Sequence, residues 1–328
     1  MVFYKLDALY TYFSIKHIYG ESLDKLKDKK GFFCVVMVKN ESYLIDSFLQ
    51  YYFALGASHI IVLDNNSSDN TLEKLYRYKN VTILSSKLIP KYEHREIIFR
   101  QYMINRYCRN RWCLKVDADE YFDYPFSDII PIDKLFQYLE INKFDTVITQ
   151  MLDMLSLEDV DGTVFKRDEY KYFHLESIAK SEFMNSSDCS KNKNPINLTN
   201  EKIKYYRGGI RRKLFNTDNM LTKHSLFFST ASDPLNIHFL RNPSCADLSA
   251  VIFHYKFHKS FSDKSVRYLQ DGFGLSSEYS PLSQGAQKIS DLSKSHSELI
   301  KFNDVNQLVD LDFLQISENY RDFVLKER

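Results

Sequence analysis

The sequence predicts an α/β fold in which a mostly parallel sheet is flanked by helices, with helical extensions at the N- and C-terminal ends. Three observations predict it. Short apolar, β-branched runs ("GFFCVVMV", "HIIVLD", "VTILSS", "RWCLKVD") alternate with longer stretches of helical periodicity between residues 31 and 117. The runs are apolar on both faces, as strands of a covered parallel sheet are. Polar clusters follow three of the strands: "KNE" (39–41), "DNNSSDN" (64–70) and "DADE" (117–120). Ligands of doubly wound sheets bind beyond the carboxyl ends of the strands, where these clusters lie.

Residues 1–30 carry apolar and charged residues at roughly helical spacing and end in "DKLKDKK", which predicts a helical leader outside the core. The run at 31–38, behind a glycine, is the first strand. In "ESYLIDSFLQYYFALG" the apolar Leu44, Ile45, Phe48, Leu49 and Tyr52 recur at helical spacing, and Gly56 is placed to end that helix. "HIIVLD" (59–64) is the second strand; "TLEKLYRYK" makes a helix and "VTILSS" a third strand. Residues 93–110 read as a helix, and "RWCLKVD" as a fourth strand. Beyond 124, "KLFQYLEI" reads as a helix, "DTVITQMLDM" and "VIFHYKF" (251–257) as strands, and the Ser-, Asn- and Lys-rich 181–204 as a loop or insertion. Residues 263–328 form a helical extension that packs on the preceding domain, pairs two chains or touches a membrane, in that order of preference.

Composition narrows the class. With 328 residues, 44% of them hydrophobic, the chain is long enough for a sizeable core. Lys plus Arg (44) nearly balance Asp plus Glu (43), so no overall field draws it to nucleic acid or to anionic lipid, and any acidic partner has to be met locally. Five cysteines (Cys34, Cys108, Cys113, Cys189, Cys245) show no CxxC spacing and indicate neither a disulfide framework nor a zinc site. No apolar stretch of about 18 residues and no signal-peptide pattern occurs, so the expected place is the cytoplasm, with a peripheral position at the inner face of the membrane as the alternative.

"LKVDADEYFD" (114–123) packs Asp117, Asp119, Glu120 and Asp123 behind an apolar run. On a strand, Asp117 and Asp119 share one side and Glu120 takes the other. Vicinal carboxylates at a strand end suit Mg²⁺ or Mn²⁺, hard cations that prefer oxygen and keep positions for phosphate or water. The plainer reading is a solvated acidic turn. "DNNSSDNT" fails as an EF-hand, because Asp69 stands where glycine is required and Leu75 where the bidentate glutamate is required. The Thr of a DxDxT motif is missing, and neither GxGxxG nor GxxxxGK[ST] occurs. Any nucleotide bound here is held by side chains and a metal rather than by a glycine-rich loop.

The stretch "VVMVKNESYLIDSFLQYYFALGASHIIVLDNNSSDNT" followed by "WCLKVDADEYF" resembles glycosyltransferase family 2 enzymes of the Rossmann-like GT-A fold, in the subgroup with KNE…DNxSxDxT…DxDE. "GGIRRKLF", "TKHSLF" and "VIFHYKF" are more loosely similar to bacterial polysaccharide-type members. The resemblance implies a catalytic domain over 31–262, with a nucleotide-binding half at 31–125 and an acceptor half at 126–262. It implies inverting transfer from a nucleoside diphosphate sugar, UDP-sugar first, to a glycan or lipid-linked hydroxyl, with Mn²⁺ or Mg²⁺. Asn40 and Glu41 match the loop that lines the nucleoside pocket, and Asp64 and Asn65 the positions that contact base and ribose. The second of that pair is Asn rather than an acid. Asp117 and Asp119 match the DxD metal positions, with Asp119 the direct ligand and Asp117 nearer the ribose or a metal-bound water. Arg95 matches a basic position before the motif, against an exposed helix arginine. His254 is the late histidine recruited to the metal, with His238 competing. Asp153, at a strand end, is the expected general base, with Glu158, Asp159 and Asp161 in the following loop. Lys256, Lys259, Arg211, Arg212 and Lys223 are candidates for the diphosphate or a charged acceptor. Two other classes stay open: a sugar-phosphate nucleotidyltransferase, whose glycine- and lysine-rich first loop is missing, and a non-catalytic glycan-binding or assembly subunit.

Overall fold

The computed structural model describes residues 2–88, 93–157, 160, 162–181, 203–230, 238–240, 243–258 and 298–328. They belong to two compact units, residues 1–119 with 225–241 and residues 120–224 with 242–328.

Unit one is an α/β layer. It contains α1 (Val2–Ser14), β1 (Lys16–Tyr19), α2 (Leu23–Lys27), β2 (Phe33–Val38), α3 (Ile45–Leu55), β3 (His59–Asp64), α4 (Thr71–Leu75), β4 (Val81–Ser85), α5 (Glu93–Tyr107) and β5 (Arg111–Lys115). The strand order is β1-β4-β3-β2-β5, with Ser225–Ser229 of the later strand β11 (Thr222–Ser229) beside β5. The four expected strands β2, β3, β4 and β5 are mutually parallel, while β1 and β11 run antiparallel at the two flanks. Phe33 and Val35 of β2, Ile61 and Leu63 of β3 and Leu84 of β4 pack with Phe99, Met103 and Ile104 of α5 in one buried cluster. Each such side chain contributes about 1.5–3 kcal/mol by leaving water, which overrides the mixed polarity of α5 as a sequence. Gly56 ends α3 as expected, at φ 109°, with its N–H on the carbonyls of Tyr52 and Phe53. Residues 1–30 differ from a purely helical leader: "KHIY" forms β1, which pairs antiparallel with β4 at the edge of the sheet. The turn after it hugs β4, because Gly20 adopts φ +89° where a Cβ would lie 2.1 Å from the Val81 carbonyl oxygen.

Unit two holds β6 (Glu120–Asp123), α6 (Ile132–Ile141), β7 (Thr146–Asp153), β8 (Tyr172–Phe173), β9 (Ile178–Ser181), β10 (Tyr205–Gly208), α7 (Ile210–Phe215), β12 (Cys245–His254), β13 (Ile300–Lys301), α8 (Val305–Asp310) and α9 (Glu318–Glu327). Here β12 lies between β7, to which it is parallel, and β6, to which it is antiparallel. Thr222–His224 of β11 adjoin β7: Thr149 Oγ1 donates to the Lys223 carbonyl at 3.0 Å and Thr222 Oγ1 to Gln150 Oε1 at 2.7 Å. β12 begins six residues before the expected run, at Cys245, and its Asp247 accepts from the Tyr138 hydroxyl of α6 at 2.9 Å. Of the expected C-terminal extension, residues 263–297 lie outside the described residues. The remainder is built into unit two: Ser317 caps α9, and the Tyr320 hydroxyl donates to the Pro125 carbonyl at 2.8 Å. The expected loop 181–204 lies outside the described residues from 182 to 202.

Candidate functional site

In unit one the three polar clusters stand at the carboxyl ends of β2, β3 and β5. The connection after β2 runs to β3 and β4 on one side, whereas β5 lies on the other side of β2. That reversal is the topological switch point of the sheet, flanked by residues 39–41 and 117–119.

The first two clusters hold each other. Asn40 and Asn66 adopt φ 56° and 61°, a left-handed conformation that asparagine tolerates better than most residues. The Asn40 N–H donates to Ser67 Oγ at 2.9 Å, and its Oδ1 accepts from the Ser68 N–H at 2.7 Å. The N–H of buried Glu41 donates to Thr71 Oγ1 at 2.8 Å, and Asp69 accepts from the Ser42 N–H at 3.1 Å. Asp64 is buried and accepts from the Ser67 N–H at 3.2 Å; burial pushes its carboxyl up, against the hydrogen bonds of Ser67 and Asn66. Asn65 donates through Nδ2 to the carbonyls of Ser86 and Leu88 at 2.9 and 2.7 Å. "DNNSSDN" is therefore a structured cradle, with the residue types sequence reading named already engaged with the backbone.

At the third cluster the ladder of β5 ends at Lys115, and Ala118 and Asp119 form a turn before β6. Burial still alternates as on a strand: Val116, Ala118 and Glu120 are buried, while Asp117 and Asp119 are half-buried. Arg100 of α5 donates to Asp117 Oδ1 at 2.5 Å and to Glu96 Oε1 at 2.9 Å. Burial opposes the Arg100 charge, but Asp117 and then Glu96 outweigh it and raise its pKa above the ordinary arginine value. Arg95, expected at the nucleotide, instead pairs with Asp7 of α1 through Nε at 3.0 Å and Nη2 at 2.5 Å. Arg100 was not anticipated, although "REIIFR" offered both arginines.

In unit two, β7 and β12 end level with one another, so Asp153 and His254 are register partners. His254 Nδ1 lies 2.5 Å from Asp153 Oδ1, and Arg211 of α7 donates from Nε to Asp153 Oδ2 at 3.1 Å. All three side chains are buried. Burial alone raises a carboxyl pKa, yet Arg211, then His254, then Lys256 hold Asp153 down at about 2. An ionised carboxylate accepts from Nδ1–H, which leaves the imidazole lone pair on Nε2. Lys223 and Glu120 form a second buried ion pair. Arg212 pairs with exposed Asp218. Lys259, Glu158, Asp159 and Asp161 lie outside the described residues. His238 belongs to unit one, its ring centroid 6.3 Å from that of Phe239. Among the described residues, the group of three side chains whose donor atoms lie within 4.8 Å of one another is His174, Glu176 and Glu298 in unit two. Lys213 already sits on Glu298 there, and His174 Nδ1 lies 2.9 Å from Ser177 Oγ.

No protein-family model matches the chain, and no curated protein matches it. Among solved structures, S. aureus TarS is 16% identical over 40% of this chain and 23% of its own, at a TM-score of 0.28. Glucosyl-3-phosphoglycerate synthase from Mycobacterium tuberculosis, in complex with Mn²⁺, UDP and phosphoglyceric acid, is 16% identical over 42% of this chain and 49% of its own, at 0.28. Mannosyltransferase PcManGT from Pyrobaculum calidifontis, in complex with GDP-Man and Mn²⁺, is 15% identical over 48% of this chain and 45% of its own, at 0.27. The chain spans less than half the length of each of these three proteins. Superpositions this partial carry no argument about its chemistry, which rests on its own residues.

Proposed function

We propose that the chain is an inverting, divalent-metal-dependent glycosyltransferase of the GT-A, family 2 type. In this reading it transfers a sugar from a nucleoside diphosphate sugar, UDP-sugar first, to a glycan or glycolipid hydroxyl in surface polysaccharide synthesis. One observation carries the reading. The residues that resemble that family's donor-site motifs, Asn40 and Glu41, Asp64 and Asn65, Asp117 and Asp119, fall at the carboxyl ends of adjacent parallel strands around the switch point of one sheet.

Asp64 and Asn65 would hold the nucleoside, with Asn40 and Glu41 closing the loop over it. Asp117 and Asp119 would hold Mn²⁺ or Mg²⁺: they are half-buried oxygen donors two residues apart, which fits a hard cation that keeps some of its water. When bound, the metal offsets the charge that develops on a departing diphosphate. Arg100, hydrogen-bonded to Asp117, orients that carboxylate. His254 keeps its role as a proposed metal ligand on the chemistry of its pairing, since metal-bound histidines donate their other ring N–H to a carboxylate or carbonyl. Asp153 is then better suited to orient His254 than to accept a proton, because a carboxylate near pKa 2 between a guanidinium and an imidazole is a weak base at neutral pH.

The test is thermal unfolding of wild type and Asp119→Asn with UDP, GDP, CMP or dTDP, each with and without Mn²⁺. A nucleotide at about 100 times its Kd stabilises by roughly 2.7 kcal/mol, a rise of roughly 5–10 °C. The expected result is one nucleotide that stabilises only with Mn²⁺ and only when Asp119 is intact. If no nucleotide moves wild type beyond Mn²⁺ alone, the donor-site reading is wrong. Turnover of the matching nucleotide sugar separates an enzyme from a subunit that only binds.

A further inference from the structure

The first helix has its polarity reversed. Along the thirteen residues of α1, Asp7, Thr11 and Ser14 lie on one face, at i, i+4 and i+7, and that face meets the protein. Asp7 pairs with Arg95 of α5, Thr11 is fully buried, and Ser14 Oγ lies 2.7 Å from Ser86 Oγ. The opposite face carries Leu6, Leu9, Tyr10 and Phe13, again at the spacing of one helical stripe, and these are 58, 55, 63 and 76% exposed. Tyr12, also exposed, flanks the stripe and packs edge-on against Tyr102 at 4.8 Å. A helix that only covered a core would present the two faces the other way round.

We infer that α1 docks on an anionic lipid surface through Leu6, Leu9, Tyr10 and Phe13. Three observations choose that occupant. Leucine and aromatic residues on one face are what interfacial helices bury at the headgroup boundary. The stripe and Tyr12 together expose on the order of 600 Å² at roughly 150–250 Å² per large side chain, below the roughly 800 Å² per partner of a standard protein interface. Exposed cations flank the helix: Lys16 opens β1 two residues after α1 ends, and exposed Arg106 lies 5.7 Å over the ring of Tyr102, the residue against which Tyr12 packs. The acid of the helix, Asp7, is turned inward to Arg95. Two copies meeting face to face would bring these cations together, whereas phosphate headgroups would pair with them.

The experiment is vesicle flotation of the full chain, with phosphatidylcholine alone and with a third phosphatidylglycerol, for wild type, Leu9→Gln/Phe13→Gln and Lys16→Glu/Arg106→Glu. Sedimentation velocity and thermal unfolding accompany it. Wild type is expected to float with the anionic vesicles, and Leu9→Gln/Phe13→Gln to lose at least tenfold in partitioning without a fall in unfolding temperature, since both side chains are exposed. Lys16→Glu/Arg106→Glu should lose its preference for the anionic vesicles. Wild type that stays with the soluble fraction overturns the inference, as does flotation of the Leu9→Gln/Phe13→Gln variant equal to wild type. A wild-type dimer that Leu9→Gln/Phe13→Gln dissociates would show that a second copy covers the stripe instead, and would likewise overturn it.

Discussion

Replacing Asp153 with asparagine preserves the shape of the side chain and removes its charge from between Arg211 and His254. All three groups are buried, so the Arg211 guanidinium would be left without its carboxylate away from solvent. Breaking a buried pair on one side costs about 3–5 kcal/mol. At roughly 2–4 °C per kcal/mol, the unfolding temperature should fall by roughly 6–20 °C. Arg211→Met removes the cation and leaves Asp153 its 2.5 Å contact with His254, so it should cost less. The double variant contains no stranded guanidinium and should be more stable than Asp153→Asn alone, with a coupling of about 1–3 kcal/mol in the thermal or urea cycle. Mn²⁺ affinity supplies the functional readout. Losing the partner that orients a metal-binding histidine lowers affinity about 10–100-fold, whereas losing a general base leaves metal affinity intact and lowers kcat alone. Asp153→Asn within about 2 °C of wild type, or strictly additive losses in the cycle, would refute the buried-network reasoning. Unchanged Mn²⁺ affinity together with a collapsed kcat would return Asp153 to the role of base.

Acid should destabilise unit one through His59. Burial, then the charge of Lys29, push its pKa from the ordinary 6.5 to about 4. Below pH 6.5 the unfolded chain therefore binds a proton that the folded chain refuses until about pH 4, so stability is full above 6.5 and falls as pH drops through that window. The full loss, reached near pH 4, is about 3 kcal/mol, of which about 2 kcal/mol falls between pH 7 and 5; urea unfolding at those two values checks it, and His59→Gln should flatten the difference. A wild type equally stable at both values would contradict the sign argued here. Gly20→Ala should cost more than the about 1–3 kcal/mol of a left-handed alanine, because its Cβ also meets the Val81 carbonyl; a drop in unfolding temperature under about 3 °C would show that the turn relaxes.

What the sequence made legible follows from how local each signal was. β2, β3, β4 and β5 were readable because each is an apolar run closed by glycine or by Asx residues, and α3 because five apolar positions and Gly56 agreed. β1 was not, since "KHIY" is four residues, half of them basic, inside a stretch that otherwise reads as helix. The start of β12 was hidden by Asp247, whose partner Tyr138 is 109 residues away. The same limit applies at the site. That Asp117 and Asp119 share one side of a strand end was legible from spacing, but which of Arg95 and Arg100 would meet Asp117 was not: five positions apart on a helix, they point about 140° from one another, and only the fold puts Asp7 before one and Asp117 before the other. Arg211 likewise finds Asp153 across 58 residues of sequence, with no local trace.

The four carboxylates of "LKVDADEYFD" do not form one acidic patch. A solvated turn would leave all four in water, yet Glu120 is buried against Lys223, and Asp123 accepts from the Tyr124 N–H at 2.8 Å while burial pushes its carboxyl up. A buried ion pair has to offset the desolvation of two charges, which a turn with no structural role would not sustain. Glu120 therefore belongs to the architecture of unit two, whereas Asp117 and Asp119 keep partial exposure at the strand end of unit one, as Asp123 does on β6. The two kinds of acid should separate under substitution. Glu120→Gln strands Lys223 and should lower stability by about 3–5 kcal/mol whether or not ligand is present; Asp119→Asn should leave the apo unfolding temperature within about 2 °C and abolish the Mn²⁺-dependent nucleotide shift. Equal effects of the two changes on apo stability would mean that the cluster is structural throughout, and the metal would then have to be sought elsewhere.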